Sequence, residues 1–308
     1  MNEKIILSII TPVFNGRKYI NKNITILKNI TKHFQEEIEV IYINDGSKDG
    51  SEKIIKKEIH KIKNFNLFTY KTNKGPGIAR NLGIKKSNGK YLFFFDADDE
   101  LVKKNFSYLM SIIKKKNFDI AFLNFQTYQK NIINLSKKKI INKNQLVKDF
   151  LRKELDMNSN FYIFRKKFLV KKNIKYKEGF YEDILFMLKV FVNYEKSIKF
   201  TKKIYKKILI KTSITNTYTK KHIDDFVNSC FQKYNYFNKF IKKKFVYINE
   251  SDLQYGLRGD LVNSIRLLKR LENKNLNKSY IFTKFKKIIN MKFDAKTQYD
   301  KKVLRWLN

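Results

Sequence analysis

The sequence predicts an α/β protein, a mainly parallel sheet flanked by helices and followed by a helical region. Short apolar runs alternate with helix-length amphipathic segments through residues 5–125, the pattern of consecutive βα units. The runs are continuously apolar, as expected of strands covered on both faces. After about residue 221 apolar positions recur at helical spacing only.

Residues 5–11 (IILSIIT) form the first strand, which Pro12 is expected to end. Ile20, Ile24, Leu27 and Ile30 place a helix over 18–33, and residues 38–43 (IEVIYI) are a second strand. That strand breaks into a turn over 44–51, where Ser51 can cap a helix reaching about residue 62. A third strand covers 65–70, a glycine loop 71–77, and a short helix 78–86. A fourth strand, 91–95, leads directly into Asp96, Asp98, Asp99 and Glu100. A helix over 103–116 and a strand over 119–125 complete the pattern.

Residues 126–150 are polar and Lys-rich, a boundary or an insertion. Glu182 and Asp183 open a helix over 184–194, and residues 201–219 read as one or two strands. Phe226, Cys230, Tyr234, Phe237, Ile241 and Phe245 mark one helical stripe, and Leu257, Leu261, Ile265, Leu268 and Leu271 another.

The 308 residues carry a net charge of +39. A Lys-, Asn- and Ile-rich composition explains part of it, but such a bias should spread evenly. Residues 1–100 are net +6, 101–200 net +15 and 201–308 net +18. Anionic lipid, a phosphate-bearing substrate or nucleic acid are the partners such a balance suits. The single cysteine excludes an internal disulfide and suggests a reducing compartment. The start shows no signal peptide, and no apolar run approaches the ~20 residues that span a bilayer. The expected location is cytoplasmic, with peripheral attachment to the inner membrane face as a further option.

In a parallel sheet, ligands bind where strands end at the carboxyl edge. Asp45, the Gly75–Gly77 loop and the acids after residue 95 all fall there. Four carboxylates within five positions repel one another unless a cation compensates them. The plainer reading is a solvated acidic turn, with Glu100 at the following helix start. Gly75-x-Gly77 is followed by Arg80 where a dinucleotide fingerprint needs glycine, and no phosphate loop ending in Gly-Lys-Ser/Thr occurs. Cys230 sits on an apolar helical stripe and reads as packed. His222 could swing onto a metal, although a histidine at a helix start is the plainer assignment. A basic, aromatic-rich nucleic-acid binder and a nucleotidyltransferase are the alternative classes.

Four ordered segments, residues 8–15 (SIITPVFN), 43–51 (INDGSKDGS), 73–81 (NKGPGIARN) and 95–99 (FDADD), resemble the motifs of family 2 glycosyltransferases. Residues 179–183 and 211–216 are similar, more loosely, to the family's Glu-Asp and Ser-Ile-Thr segments. The resemblance implies a GT-A fold and an inverting transfer from a nucleotide sugar, UDP-linked, to a hydroxyl of a glycan or lipid-linked acceptor. By the same resemblance Pro12, Phe14 and Asn15 line the nucleotide pocket and Asp45 accepts from the base. Lys74 and Arg80 approach the donor. Asp96 lies near the ribose, Asp98 with Asp96 on Mn²⁺ or Mg²⁺, and Asp183 is the general base. Phe14 stands where the family often has tyrosine. The expected organisation is a catalytic domain over 1–219, divided into a nucleotide half (1–125) and an acceptor half (126–219). A basic, aromatic helical region then covers 220–308.

Overall fold

The computed structural model describes residues 5–127, 134–138, 141–155, 157–208, 219–245, 247–269, 280, 281, 283 and 285. It divides into two compact units, Met1–Ile141 with Asn158–Ile210, and Asn142–Met157 with Lys211–Asn308. The segment 211–216 and Leu271 lie outside the described residues.

The first unit is built on β1 (Leu7–Val13), α1 (Arg17–Thr31), β2 (Ile38–Asp45), α2 (Ser51–Ile59), β3 (Phe65–Tyr70), α3 (Pro76–Lys86) and β4 (Tyr91–Phe94). Then follow β5 (Glu100–Leu101), α4 (Phe106–Lys115), β6 (Ile120–Gln126), β7 (Tyr162–Arg165), α6 (Lys166–Lys171), α7 (Asp183–Asn193) and β8 (Ser197–Lys206). One eight-stranded sheet runs in the order β3-β2-β1-β4-β7-β6-β8-β5. The β3-β2-β1-β4 block is wholly parallel, as the βα alternation predicts. β7 enters antiparallel beside β4 and beside β6. All of β2 is buried, and β1 is buried except at Pro12. That burial explains why neither strand alternates polar and apolar positions.

β1 does not stop at Pro12. Ile10 C=O accepts the Phe95 N–H at 3.0 Å, so even-numbered residues of β1 face β4. Pro12 faces the same side, two residues past the last pairing of Ile10 with Phe94. The missing N–H therefore interrupts no ladder, and β1 continues along β2 to Val13. Ser51 does not cap α2 either. Gly50 takes that place with φ of 90°. Ser51 is the first helical residue, and its N–H and hydroxyl both donate to Asp49 Oδ1, at 3.0 and 2.5 Å. Glu100 belongs to β5 rather than to a helix start. It pairs with Lys22 at 2.5 Å and Lys206 at 3.0 Å, which holds its carboxyl below the usual range.

The second unit contains α5 (Lys143–Leu151), α8 (Lys220–Tyr236), a π-helical turn at Phe237–Ile241 and α9 (Glu250–Lys269). The stripe from Phe226 to Phe245 is buried throughout. The second stripe is not the one expected. Leu257, Ile265 and Leu268 are half-buried, while Asp252, Asp260 and Ser264 are buried beside Leu253 and Leu261. The cause is ionic: Asp260 pairs with Lys153 at 2.7 Å and Lys233 at 2.6 Å, and Asp252 with Arg152 at 3.0 Å and Lys148 at 3.1 Å. A buried carboxylate flanked by cations can occupy a face that patterning reserves for leucine.

Candidate active site

Because β1 to β4 are parallel, their four carboxyl ends open on one edge. At the end of β1, Phe14 is exposed and Asn15 takes a left-handed φ of 49°. Asn15 is fixed by its neighbours: its N–H donates to Ser47 Oγ and its Oδ1 accepts from the Lys48 N–H, both at 2.9 Å. Ser47 in turn donates its N–H to Asn44 Oδ1. The β1 and β2 turns are thereby locked together, with the Phe14 ring facing solvent.

Asp45 ends β2. Its two carboxylate oxygens accept the backbone N–H groups of Lys74 and Gly75, each at 2.8 Å. Burial pushes its pKa up, and those two hydrogen bonds and the Lys74 charge pull against the rise. Asp45 thus sets the start of the glycine loop. The Lys74 ammonium sits 4.8 Å from the centre of the Tyr70 ring. Gly75 has φ of 89°, and a Cβ on Gly77 would fall 2.7 Å from the Glu182 side chain. A side chain larger than hydrogen at 77 would push the glycine loop off Glu182.

Arg80, on α3, is buried. One amino group donates to Asp96 Oδ1 at 3.0 Å and the other to Glu182 Oε1 at 2.6 Å. Its guanidinium carbon lies 5.6 Å from the centre of the Tyr176 ring. Burial disfavours its charge, but Asp96, Asp183 and Glu182 hold the pKa well above the usual value. Arg80 is therefore a permanent cation between the acids after β4 and those that open α7.

Asp96, Asp98 and Asp99 each offer a carboxylate oxygen, and these oxygens all lie within 4.8 Å of one another. Asp96 is committed on both sides, to Arg80 and to Asn160 Nδ2 at 2.5 Å. Asp99 is buried and accepts from the Tyr205 hydroxyl and from the Ile208 N–H at 2.7 Å. Asp98 accepts only from its own backbone N–H among the described residues. Burial and then the charge on Asp96 push Asp98 up to about 6 and Asp99 up to about 7. All-oxygen donors, mutual repulsion and one uncommitted carboxylate fit a hard divalent cation.

Asp183 is the first residue of α7, after Glu182 at the cap and Tyr181 at a left-handed φ of 61°. Burial pushes the Asp183 carboxyl up to about 7; Arg80 and the nearby Ser159 side chain oppose the rise, and Glu182 and Asp96 add to it. Its Oδ1 is buried with no hydrogen-bond partner among the described residues. A carboxylate with an unused, desolvated oxygen is equipped to take a proton.

His222 lies at the start of α8, where its Nδ1 accepts the Thr219 N–H at 3.1 Å in a capping box. Asn160, Tyr205 and Tyr176 are the site residues that sequence reasoning did not single out. Asn160 is fully buried and joins Asp96 to the Tyr205 hydroxyl, at 2.5 and 3.0 Å. Nothing in a chain rich in asparagine and tyrosine marks them in advance.

The sheet and the acid cluster after its fourth strand have the architecture of a GT-A fold. The crystal structure of S. aureus TarS 1–349 in complex with UDP-GlcNAc superposes with a TM-score of 0.63 at 17% identity, covering 93% of this chain and 89% of that one. The chain belongs to glycosyl transferase family 2, whose model matches residues 8–187. An uncharacterized glycosyltransferase of Haemophilus influenzae is 36% identical over 140 residues, 43% of this chain and 54% of that protein. The minor teichoic acid biosynthesis protein GgaB of Bacillus subtilis is 34% identical over 123 residues, 39% of this chain and 14% of that protein. The chain thus matches about half or less of the length of these relatives.

Proposed function

We propose that the protein is an inverting transferase that moves a sugar from a UDP-linked donor to a hydroxyl of a surface-glycan or lipid-linked acceptor, with Asp183 as general base. One observation carries this reading. Arg80 bridges Asp96, one of three clustered carboxylates after β4, and Glu182, the neighbour of Asp183, whose carboxyl is raised and keeps one buried oxygen without a hydrogen bond among the described residues. A single displacement at an anomeric carbon needs those two roles and no covalent nucleophile. The UDP donor is supported by the likeness to the TarS complex with UDP-GlcNAc, and the surface glycan by the likeness to GgaB.

Asp98 and Asp96 would hold Mn²⁺ or Mg²⁺, with Asp99 beside them. When bound, such a cation supplies Lewis-acid stabilisation of the charge gathering on the leaving diphosphate. Phe14 offers its exposed ring to the nucleobase, beside Pro12 and Asn15. Asp45, by fixing the Lys74–Gly75 backbone, shapes the loop that faces the donor. Asp183 takes the proton of the acceptor hydroxyl. Residues 1–125 serve the nucleotide and 126–219 the acceptor. The basic region from 220 serves an anionic acceptor or the cytoplasmic membrane face. Among the described residues no helix is long and apolar enough to cross a membrane.

Asp98→Ala tests the metal assignment. The variant is expected to lose Mn²⁺-dependent nucleotide binding by at least tenfold in titration calorimetry, while folding normally. Equal nucleotide affinity in variant and parent, with and without chelator, would refute the assignment.

A further inference from the structure

The π-helical turn after α8 carries a surface made of none of the residues assigned above to the transfer site. Phe237 and Ile241 are fully buried and anchor the turn. Between them Phe240 is 69% exposed, the most exposed aromatic side chain among the described residues. Lys239 precedes it, Lys242, Lys243 and Lys244 follow, and all four are exposed. Exposed Tyr247 ends the segment. π-helical turns are rare and concentrate at functional positions.

Four lysines elsewhere in this unit have carboxylate partners. Lys148 pairs with Asp252, Lys153 and Lys233 with Asp260, and Lys221 with Asp225. Lys239, Lys242, Lys243 and Lys244 form no ion pair among the described residues. Cations at a helix carboxyl end complement its dipole, which accounts for lysines there. It does not account for a phenylalanine among them that meets the Tyr236 ring at 5.2 Å and is still 69% exposed. A ring flanked by unpaired ammonium groups combines the two attractions of an interfacial anchor, apolar insertion and attraction to anionic headgroups.

We infer that the turn of Lys239, Phe240, Lys242, Lys243, Lys244 and Tyr247 docks on an anionic lipid surface, with the Phe240 ring inserted at the headgroup level. The inference deepens the lipid-linked acceptor reading given above and rests on it. It assigns one face to the membrane where composition alone indicates only a basic half.

Co-sedimentation of the full chain with phosphatidylcholine vesicles, with and without phosphatidylglycerol, tests it. The parent protein is expected to partition onto the anionic vesicles only. Phe240→Ser should lower that partition about tenfold at unchanged charge. Joint replacement Lys242→Ala, Lys243→Ala and Lys244→Ala should lower it roughly a hundredfold, at about fivefold per lysine. Joint Lys53→Ala, Lys56→Ala and Lys57→Ala, which removes the same charge from exposed positions on α2, should change it less than threefold. Equal losses in the two triple variants, or no effect of Phe240→Ser, would overturn the inference. So would a parent protein that ignores anionic vesicles. Tighter binding of single-stranded RNA, lost in the same variants, would reassign the face to nucleic acid. Thermal stabilisation by nucleotide sugar, read on each variant, is expected to be unchanged. Its absence in the parent would count against the transferase reading and leave the vesicle result standing.

Discussion

Asp183→Asn is expected to lower sugar transfer by about 10²–10⁴-fold, the usual worth of a positioned base, while donor affinity stays within twofold. The amide keeps the shape of the carboxyl and removes its capacity to take a proton. The parent rate should rise with pH through the Asp183 titration, because only the ionised form is a base. That carboxyl sits near pKa 7 without a cation. A divalent cation on the neighbouring acids offsets the repulsion from Asp96 and moves the acid limb to lower pH. Stability runs the other way. A carboxyl whose pKa is raised on folding favours the fold while protonated and loses that contribution as pH rises through its folded value. Asp183→Asn should therefore melt higher than the parent at pH 8, with a smaller difference at pH 5 that is gone only below the unfolded value of 3.8. Initial rates over pH 5–9, with melting curves at both ends, check the whole set. A variant that turns over normally refutes the base.

The second large effect belongs to Arg80. Arg80→Met would leave Asp96 and Glu182 without their shared counter-charge, with Glu182 and the Arg80 position both largely buried. Removing one partner of a buried ion pair costs about 3–5 kcal/mol. In a unit of this size that is a Tm lower by roughly 10 °C. Activity should also fall, because Arg80 positions both acid groups. Arg80→Lys keeps the charge but cannot reach both carboxylates as a fork, so it should regain most of the stability and little of the rate. Equal melting of parent and Arg80→Met would show that the pairs contribute nothing.

Much of this was legible in the residues. Continuous apolar runs gave the parallel block β1 to β4, and turn-forming residues gave the edge where the acids meet. The elements differ where a local rule met a particular neighbour. Pro12 reads as a stop, yet its imide faces the side that β4 has already left. Ser51 reads as a cap, yet Asp49 takes that work and glycine supplies the left-handed turn. The stripe on α9 is read from leucines, while Asp252 and Asp260 are buried because cations distant in sequence meet them.

The site divides in the same way. Asp96, Asp98, Asp45 and Asp183 stand beside turn signals and were visible. The contacts that fix the site are remote: Arg80 meets Glu182 across 102 positions, Asn160 meets Asp96 across 64, and Tyr205 meets Asp99 across 106. No spacing rule reaches that far. The separation of the acids into a committed pair and a freer Asp98 therefore appears only once the chain is folded.

The central claim is metal-assisted use of a nucleotide sugar at the carboxyl edge of β1 to β4. A panel of nucleotide sugars, each read by thermal shift and slow hydrolysis with Mn²⁺ and again with chelator, tests it most directly. The account predicts that a UDP-sugar stabilises the protein and is slowly hydrolysed with Mn²⁺, and that both effects disappear with chelator. Indifference to every nucleotide sugar, with a nucleoside triphosphate consumed and pyrophosphate released instead, would contradict it.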